Sequence, residues 1–285
     1  MKIVRIPHEM KNLCATYRMA GSTIGLAPTM GALHEGHISL LEYLKPLCDV
    51  RVMTIFVNPV QFGPTEDFSK YPRMFQADCE KAESAGCDIV FAPEASDMYP
   101  RHFSTYVSVE AMTDRLCGVS RPGHFRGVTT VVLKFFNIIA PHLAVFGQKD
   151  AQQALVIKRM VVDLACPVRI VVAPTVREAD GLAMSSRNRY LTPAERAQVP
   201  ALFGGLQAAR GAFEAGERSA AALRRLVAEV YKSLNLLSVE YIEIADLQTL
   251  APLERVEAAA LIAVAVRTQE SRTRLIDNIV IGGSL

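Results

Sequence analysis

Short runs of β-branched and apolar residues recur at 24–28, 50–57, 142–146 and 167–173, each separated from the next by enough chain to form a helix. That rhythm predicts a parallel α/β sheet, because parallel neighbours need a crossover that returns the chain to the same edge. Apolar residues at three- and four-residue spacing mark 38–44, 128–139 and 155–164, which predicts amphipathic helices packed on the sheet. The first part of the chain therefore reads as a doubly wound α/β domain.

Beyond about residue 180 the pattern changes. Thr192-Pro193-Ala194-Glu195 offers an N-cap, a proline at the first helical position and a capping-box glutamate, and it opens an Ala-rich amphipathic stretch. A second helix is predicted over 219–234. Runs at 239–244, 258–266 and 275–281 have no helix-length gaps with apolar periodicity between them, which predicts a small antiparallel sheet. The expected organisation is a domain over 1–180 and a smaller α+β domain, with helices and an antiparallel sheet, over 181–285. The change falls near 176–188 with no low-complexity linker, so the two parts are expected to touch across a short hinge.

Composition narrows the function classes. Half of the 285 residues are hydrophobic and 21% are charged, enough for real cores and unlike a disordered chain. A net charge of +2 with no Lys/Arg run gives no footprint for nucleic acid or an anionic membrane. The amino-terminal residues lack an apolar core of signal-peptide length, and the apolar stretch from Val128 is broken by Lys134, Pro141 and His142. A cytoplasmic protein is the expectation. Cysteines at 14, 48, 79, 87, 117 and 166 form no C-x-x-C pair, so free or buried thiols are expected rather than disulfides or zinc ligands.

The segment richest in chemistry is Pro28-Thr29-Met30-Gly31-Ala32-Leu33-His34-Glu35-Gly36-His37, between a strand run and a helical run. Ligands of open α/β sheets lie beyond the carboxyl ends of the strands, and a helix N-terminus there attracts phosphate. His34 and His37 can face one ligand from the first helical turn. Such a pair could grip a polyphosphate and stabilise charge at an attacked phosphorus; a purely structural pair fits the spacing equally well. Gly36 removes a side chain where a nucleotide would need close backbone approach. The zinc-protease pattern H-E-x-x-H fails at Ile38, no G-x-G-x-x-G is present, and Gly118 to His124 has Walker-like glycine spacing with His124 where lysine belongs.

His-x-Gly-His after a strand resembles the HIGH signature of nucleotidyltransferases and class I aminoacyl-tRNA synthetases, and Met184-Ser185-Ser186-Arg187-Asn188 resembles a shortened KMSKS signature without its lysines. Four further segments narrow the resemblance to the pantothenate synthetase family. They are Phe56-Val57-Asn58-Pro59-Val60-Gln61-Phe62, Pro122-Gly123-His124-Phe125-Arg126-Gly127, Phe146-Gly147-Gln148-Lys149-Asp150-Ala151-Gln152-Gln153, and Arg177-Glu178-Ala179-Asp180-Gly181-Leu182-Ala183 leading into Met184. Several family members carry Glu at the position of Gln148.

The resemblance implies a Rossmann-like ATP- and pantoate-binding domain with a C-terminal lid domain. It implies that ATP is surrounded by Met30, Gly31, Ala32, Leu33, His34, Glu35, Gly36, His37, Gly147, Gln148, Lys149, Asp150, the backbone at Val176, Met184, Ser185, Ser186 and Arg187. Gln61 and Gln153 would hold pantoate, with Gln61 also near β-alanine. The implied reaction has two steps: pantoate carboxylate attacks the α-phosphorus of ATP to give a pantoyl adenylate and pyrophosphate, and β-alanine then displaces AMP. Lys149, His34 and Arg187 are the candidates for charge stabilisation, and His37 acts on the leaving phosphate as proton donor or hydrogen-bonder. Mg²⁺ is expected with ATP; Asp78 and Asp150 are conceivable outer contacts, but an unpaired surface Asp is commoner and no metal ligand is assigned, and the resemblance implies a homodimer. A nucleotidyltransferase that leaves the nucleotide on its substrate would lack the glutamine pair and ignore β-alanine; a tRNA-binding module would need a basic patch.

Overall fold

The computed structural model describes residues 1–64, 66 and 68–285. Its first part runs β1 (Lys2–Val4), α1 (Pro7–Met19), β2 (Ile24–Thr29), α2 (Glu35–Leu44), β3 (Val50–Ile55), α3 (Phe75–Ser84), β4 (Ile89–Phe91), α4 (Ala95–Met98), α5 (Cys117–Ser120), α6 (His124–Ile139), β5 (Leu143–Gly147), α7 (Ala151–Asp163) and β6 (Arg169–Ala173). Then follow α8 (Pro193–Gln198), α9 (Ala201–Glu214), α10 (Ala220–Tyr231), β7 (Leu237–Asp246), β8 (Ala260–Thr268) and β9 (Arg274–Ile281).

The larger sheet is parallel throughout, with strand order β1-β4-β3-β2-β5-β6. The chain steps outward from β2 through β3 to β4, then jumps back to place β5 on the other side of β2. The winding therefore reverses between β2 and β5, and ligands of such sheets bind beyond the strand ends at that reversal. Thr29 at the end of β2 leads into 30–37, and Gly147 at the end of β5 leads into a short 3₁₀ turn, Gln148–Asp150. The two most suggestive segments of the sequence are thus neighbours.

The four inner strands, β4, β3, β2 and β5, are buried on both faces, as unbroken apolar runs require, while the edge strands β1 and β6 are partly exposed. Leu26, Val52, Phe91, Ala144 and Phe146 point into one core with α1, α6 and α7, while Ala27, Met53, Val90, Leu143 and Val145 point into the other with α2 and α3. Two strands escaped the sequence pattern. β1 precedes the run at 24–28 expected as the first strand, and β4 lies within the stretch between 57 and 142; each has three residues, too few to display a period.

In the second part, β8 lies between β7 and β9 in an antiparallel sheet. Its apolar run has a specific cause. Ile262, Val264 and Val266 pack with α9 and α10, while Leu261 and Ala263 on the opposite face join the core formed by α6 and α7. The small sheet is therefore sandwiched between its own helices and the larger domain.

Thr192 and Glu195 form the expected capping box with Pro193 in the first turn of α8. The Glu195 carboxylate is fully buried and also accepts the Glu270 and Ser271 N–H groups at 2.8 and 2.9 Å, which ties α8 to the β8–β9 turn. Among the described residues no helix is long and apolar enough to cross a membrane, and all six cysteines are free thiols.

Candidate active site

After β2 the backbone turns through two consecutive positive φ angles, Gly31 at 84° and Ala32 at 52°. A side chain at Gly31 would be strained and would also meet Asp78 Oδ2 at 3.0 Å. Asp78 holds the turn: its carboxylate, 2% exposed, accepts the N–H groups of Ala32 and Leu33 at 2.9 and 2.7 Å. Lys81 donates to the Leu33 carbonyl oxygen at 2.7 Å. Asp78, expected as a conceivable outer contact for a metal ion, is instead spent on the backbone, because a buried carboxylate needs donors of its own.

His34 then caps α2. Its Nδ1 accepts the Gly36 N–H at 3.1 Å, and His37 Nδ1 accepts the His34 N–H at 3.3 Å. A neutral imidazole has one donor and one acceptor nitrogen, so both Nε2 atoms carry a proton and face outward as donors. The rings lie 4.0 Å apart between centroids. Burial first, and Lys149 next, lower the His34 pKa to about 4; burial and then His34 lower that of His37 to about 3. At neutral pH both are uncharged donors, so any charge stabilisation by His34 comes from its N–H dipole. Gly36 is explained by this pair, since a Cβ there would stand 2.9 Å from His34 Cε1. Its next neighbour is Met184 Cβ at 3.7 Å, which brings the two signature segments into contact.

Residues 176–184 form a tight hairpin: Met184 N–H donates to the Val176 carbonyl at 3.0 Å, and Arg177 bridges to Ala183. Asn188 braces it by donating to Glu178 Oε1 and the Ala183 carbonyl. Ser185 Oγ accepts the Arg187 N–H at 3.3 Å, opening a short turn that carries Ser186 and Arg187.

A cleft of about 890 Å³ opens between the two parts of the chain, and Lys149, Asp150, Gln153, Ser185 and Arg187 all line it. Lys149 Nζ is 3.6 Å from Asp150 Oδ1. Burial opposes ionisation of Asp150, but Lys149, then Arg187 and His37, outweigh it and hold the carboxyl below its ordinary range. Of the other expected residues, Gln148 turns its side chain to Asn278, with Nε2 3.5 Å from Oδ1. Residues 30–37, Gln61, Gly147, Val176, Met184 and Ser186 lie outside the cleft lining. The histidine pair is nonetheless near enough to two lining residues, Lys149 and Asp150, for both to act electrostatically on both imidazoles.

A model of the pantoate–β-alanine ligase family matches residues 2–280. The chain belongs to this family. It is 52% identical to the pantothenate synthetase of Moorella thermoacetica over 281 residues, covering 99% of each chain. A pantothenate synthetase from Geotalea uraniireducens is 51% identical over 282 residues, again 99% of each. The fold superposes on pantothenate synthetase from Thermus thermophilus with a TM-score of 0.91 at 41% identity, covering 98% of this chain and 99% of that one. It also superposes on the Francisella tularensis pantoate–β-alanine ligase, solved with β-γ ATP and β-alanine, with a TM-score of 0.80 at 31% identity over 98% and 97% of the two chains.

Within this ligase fold Gln61 is braced by Asn58 and His124, two motif residues to which the sequence alone assigns no role. Asn58, 1% exposed, donates to Gln61 Oε1 and to the Gly127 carbonyl, both at 3.1 Å, and its Oδ1 accepts the Tyr99 hydroxyl at 2.7 Å. Gln61 Nε2 points at Met30 Sδ, 2.9 Å away, and joins the glutamine to the loop after β2. His124 lines the cleft, and its tautomer is fixed by its partners. Arg121 can only donate, so Nε2, 3.0 Å from Arg121 Nη1, is the acceptor, and Nδ1–H donates to the Gln61 carbonyl at 2.9 Å. Burial and then Arg121 lower its pKa to about 4. Both neighbouring glutamines line the cleft, but the Gln152 amide is buried and bound to the Cys117 N–H and the Met112 and Arg115 carbonyls.

Three neutral histidines, His124 buried and His34 and His37 partly buried, predict a pH effect. Unfolded, each takes a proton near pH 6.5; folded, His34, His37 and His124 resist to about 4, 3 and 4. The unfolded state therefore binds more protons below pH 6.5, so stability falls as pH drops from there towards 4. The melting temperature is expected to decline between pH 7 and 5, before most carboxylates titrate, and to decline less steeply in His124→Gln. A flat profile over that interval would contradict the neutral assignment.

Proposed function

We propose the following division of labour for the reaction of this family, the ATP-dependent joining of pantoate to β-alanine through a pantoyl adenylate, with release of AMP and pyrophosphate. ATP lies across the β2–β5 reversal with its phosphates at the start of α2, where the helix dipole favours anions. The Nε2–H donors of His34 and His37 reach phosphate oxygens. Lys149 and Arg187 supply positive charge, with the Ser185 and Ser186 hydroxyls as donors beside them. A carboxylate is already a nucleophile, so the protein's task in the first step is position and charge stabilisation rather than deprotonation.

Gln61 and Gln153 hold pantoate, each amide able to donate to one oxygen and accept from a hydroxyl, and Gln61 also lies near β-alanine. In the second step the amine attacks the acyl carbon, the C–N bond forms, and the C–O bond to AMP breaks. The nitrogen's extra proton passes to the departing AMP phosphate or to water, and the former carboxylate oxygen departs in AMP. In the first step His37 acts on the departing pyrophosphate as a hydrogen-bond donor through Nε2–H, its pKa lowered by burial and then by His34. Mg²⁺ bound with the triphosphate would neutralise oxygens of the departing pyrophosphate. Asp150, held ionised at that end of the cleft, has the hard oxygen donors such an ion takes. A homodimer in the cytoplasm completes the proposal.

One observation carries the reading: two imidazoles with both Nδ1 atoms occupied by backbone donors, presenting two Nε2–H groups beside Lys149 at the strand reversal. The test is the product set. With ATP, pantoate and β-alanine the protein is expected to release AMP and pyrophosphate, and oxygen label from the pantoate carboxylate is expected in AMP. ADP and phosphate, or label kept entirely in pantothenate, would overturn it. Turnover that ignores β-alanine would favour a nucleotidyltransferase.

A further inference from the structure

Strand β9 of the small sheet reaches the reversal between β2 and β5 with two buried polar residues. Asn278, 4% exposed, donates through Nδ2 to the carbonyl oxygens of Gln148 and Lys149, both at 2.9 Å. Asp277, 3% exposed, receives Arg177 through both carboxylate oxygens at 2.6 and 2.9 Å, and its Oδ1 also accepts the Asn278 N–H at 2.7 Å. Arg177 continues into the hairpin by donating to the Gly181 carbonyl at 2.9 Å and lies over the Phe203 ring.

The two carbonyls held by Asn278 flank the Lys149 Cα. That of Gln148 belongs to the peptide plane before it and that of Lys149 to the plane after it. Each plane is rigid, so pinning both sets φ and ψ at Lys149 and with them the direction in which its side chain leaves the backbone. Apolar residues would cover this interface without the desolvation cost of a buried amide and carboxylate, so the polar pair needs a reason beyond packing.

We propose that Asn278 is a positioning residue for Lys149, aiming its ammonium at the departing phosphates from the opposite domain. Asp277 holds Asn278 in register and anchors the hairpin that leads to Arg187. The assignment rests on Lys149 acting during adenylate formation, as proposed above.

The test is Asn278→Ala in the full-length protein, assayed by half-reaction. Pantoate-dependent exchange of labelled pyrophosphate into ATP is expected to fall about 100-fold, the scale of an angstrom's misplacement of a catalytic group. The KM for ATP and the conversion of preformed pantoyl adenylate with β-alanine are expected to change no more than about threefold. Adding Asn278→Ala to Lys149→Ala is expected to cost nothing further, because a residue that acts through Lys149 has nothing left to position. Asn278→Ser, polar but too short to reach both carbonyls, is expected to match the alanine variant.

Equal loss in both half-reactions, additive losses in the double variant, or both single variants failing to fold would overturn the proposal, since each marks Asn278 as a framework residue. If Lys149→Ala abolishes exchange while Asn278→Ala does not, the positioning fails alone. If Lys149→Ala leaves exchange intact, the role of Lys149 fails first.

Discussion

Replacing Lys149 by alanine is expected to lower pantoate adenylation by about 100-fold or more while the protein folds normally and binds ATP nearly as well. The side chain is 22% exposed at the cleft and sits 3.6 Å from Asp150, whose own side chain is half exposed, so water can take over the carboxylate when the ammonium is removed. Negative charge grows on the leaving pyrophosphate as the new P–O bond forms, and a fixed ammonium stabilises that charge more than it stabilises bound ATP. A preformed pantoyl adenylate separates this role from general damage, since aminolysis of the adenylate involves no pyrophosphate departure and is expected to survive far better. His37→Ala is expected to show the same asymmetry, weakened by the loss of its bond to the His34 N–H. If both half-reactions fall together in Lys149→Ala, the lysine serves the adenylate pocket as a whole and the assignment is wrong.

Gly127→Ala is the second large effect, and it reaches pantoate without touching a proposed ligand. A Cβ on Gly127 would stand 2.6 Å from both the Cα and N of Gln61 and 2.7 Å from the Val60 carbonyl carbon. All three are backbone atoms, so the turn must move away from α6. Overpacking of this kind costs about 1 to 3 kcal/mol in stability. The displaced Gln61 also loses its alignment with Asn58, whose other donor bond goes to the Gly127 carbonyl itself. The expected result is a folded protein with a melting temperature lower by several degrees and kcat/KM for pantoate reduced about 10- to 100-fold, with ATP affinity retained. Gln61→Ala is expected to give the same selective loss, near 1 to 3 kcal/mol, with little change in stability. Unchanged pantoate kinetics in a folded Gly127→Ala variant would mean that Gln61 does not hold this substrate.

Much of this arrangement can be read along the chain. Strands buried on both faces leave continuous apolar runs, which makes β2, β3 and β5 legible, while the half-buried edge strand β6 is legible from its β-branched residues. His34 to His37 stood out because a helix start after a strand restricts what two histidines can do. What stayed hidden was whatever depends on contacts distant in sequence. Asp78 looks like any surface carboxylate until α3 is seen to deliver it beneath the Ala32 and Leu33 amides. The neutrality of the histidines likewise comes from burial and from nearby Lys149, neither of which spacing encodes. Asn278 sits in a strand whose pattern explains its burial and says nothing of its partner, the Gln148–Asp150 turn.

The burial of β8 on both faces limits how the protein comes apart. Leu261 and Ala263 belong to the same apolar core as Val131, Phe135 and Ile157, so the two halves cannot separate without wetting that shared surface. Heat should therefore dissolve them together, as one calorimetric transition. A fragment ending near residue 180 would present to water the patch that β8 covers in the whole chain and would be prone to aggregation. The halves differ in architecture, and in thermodynamic terms they are one cooperative unit.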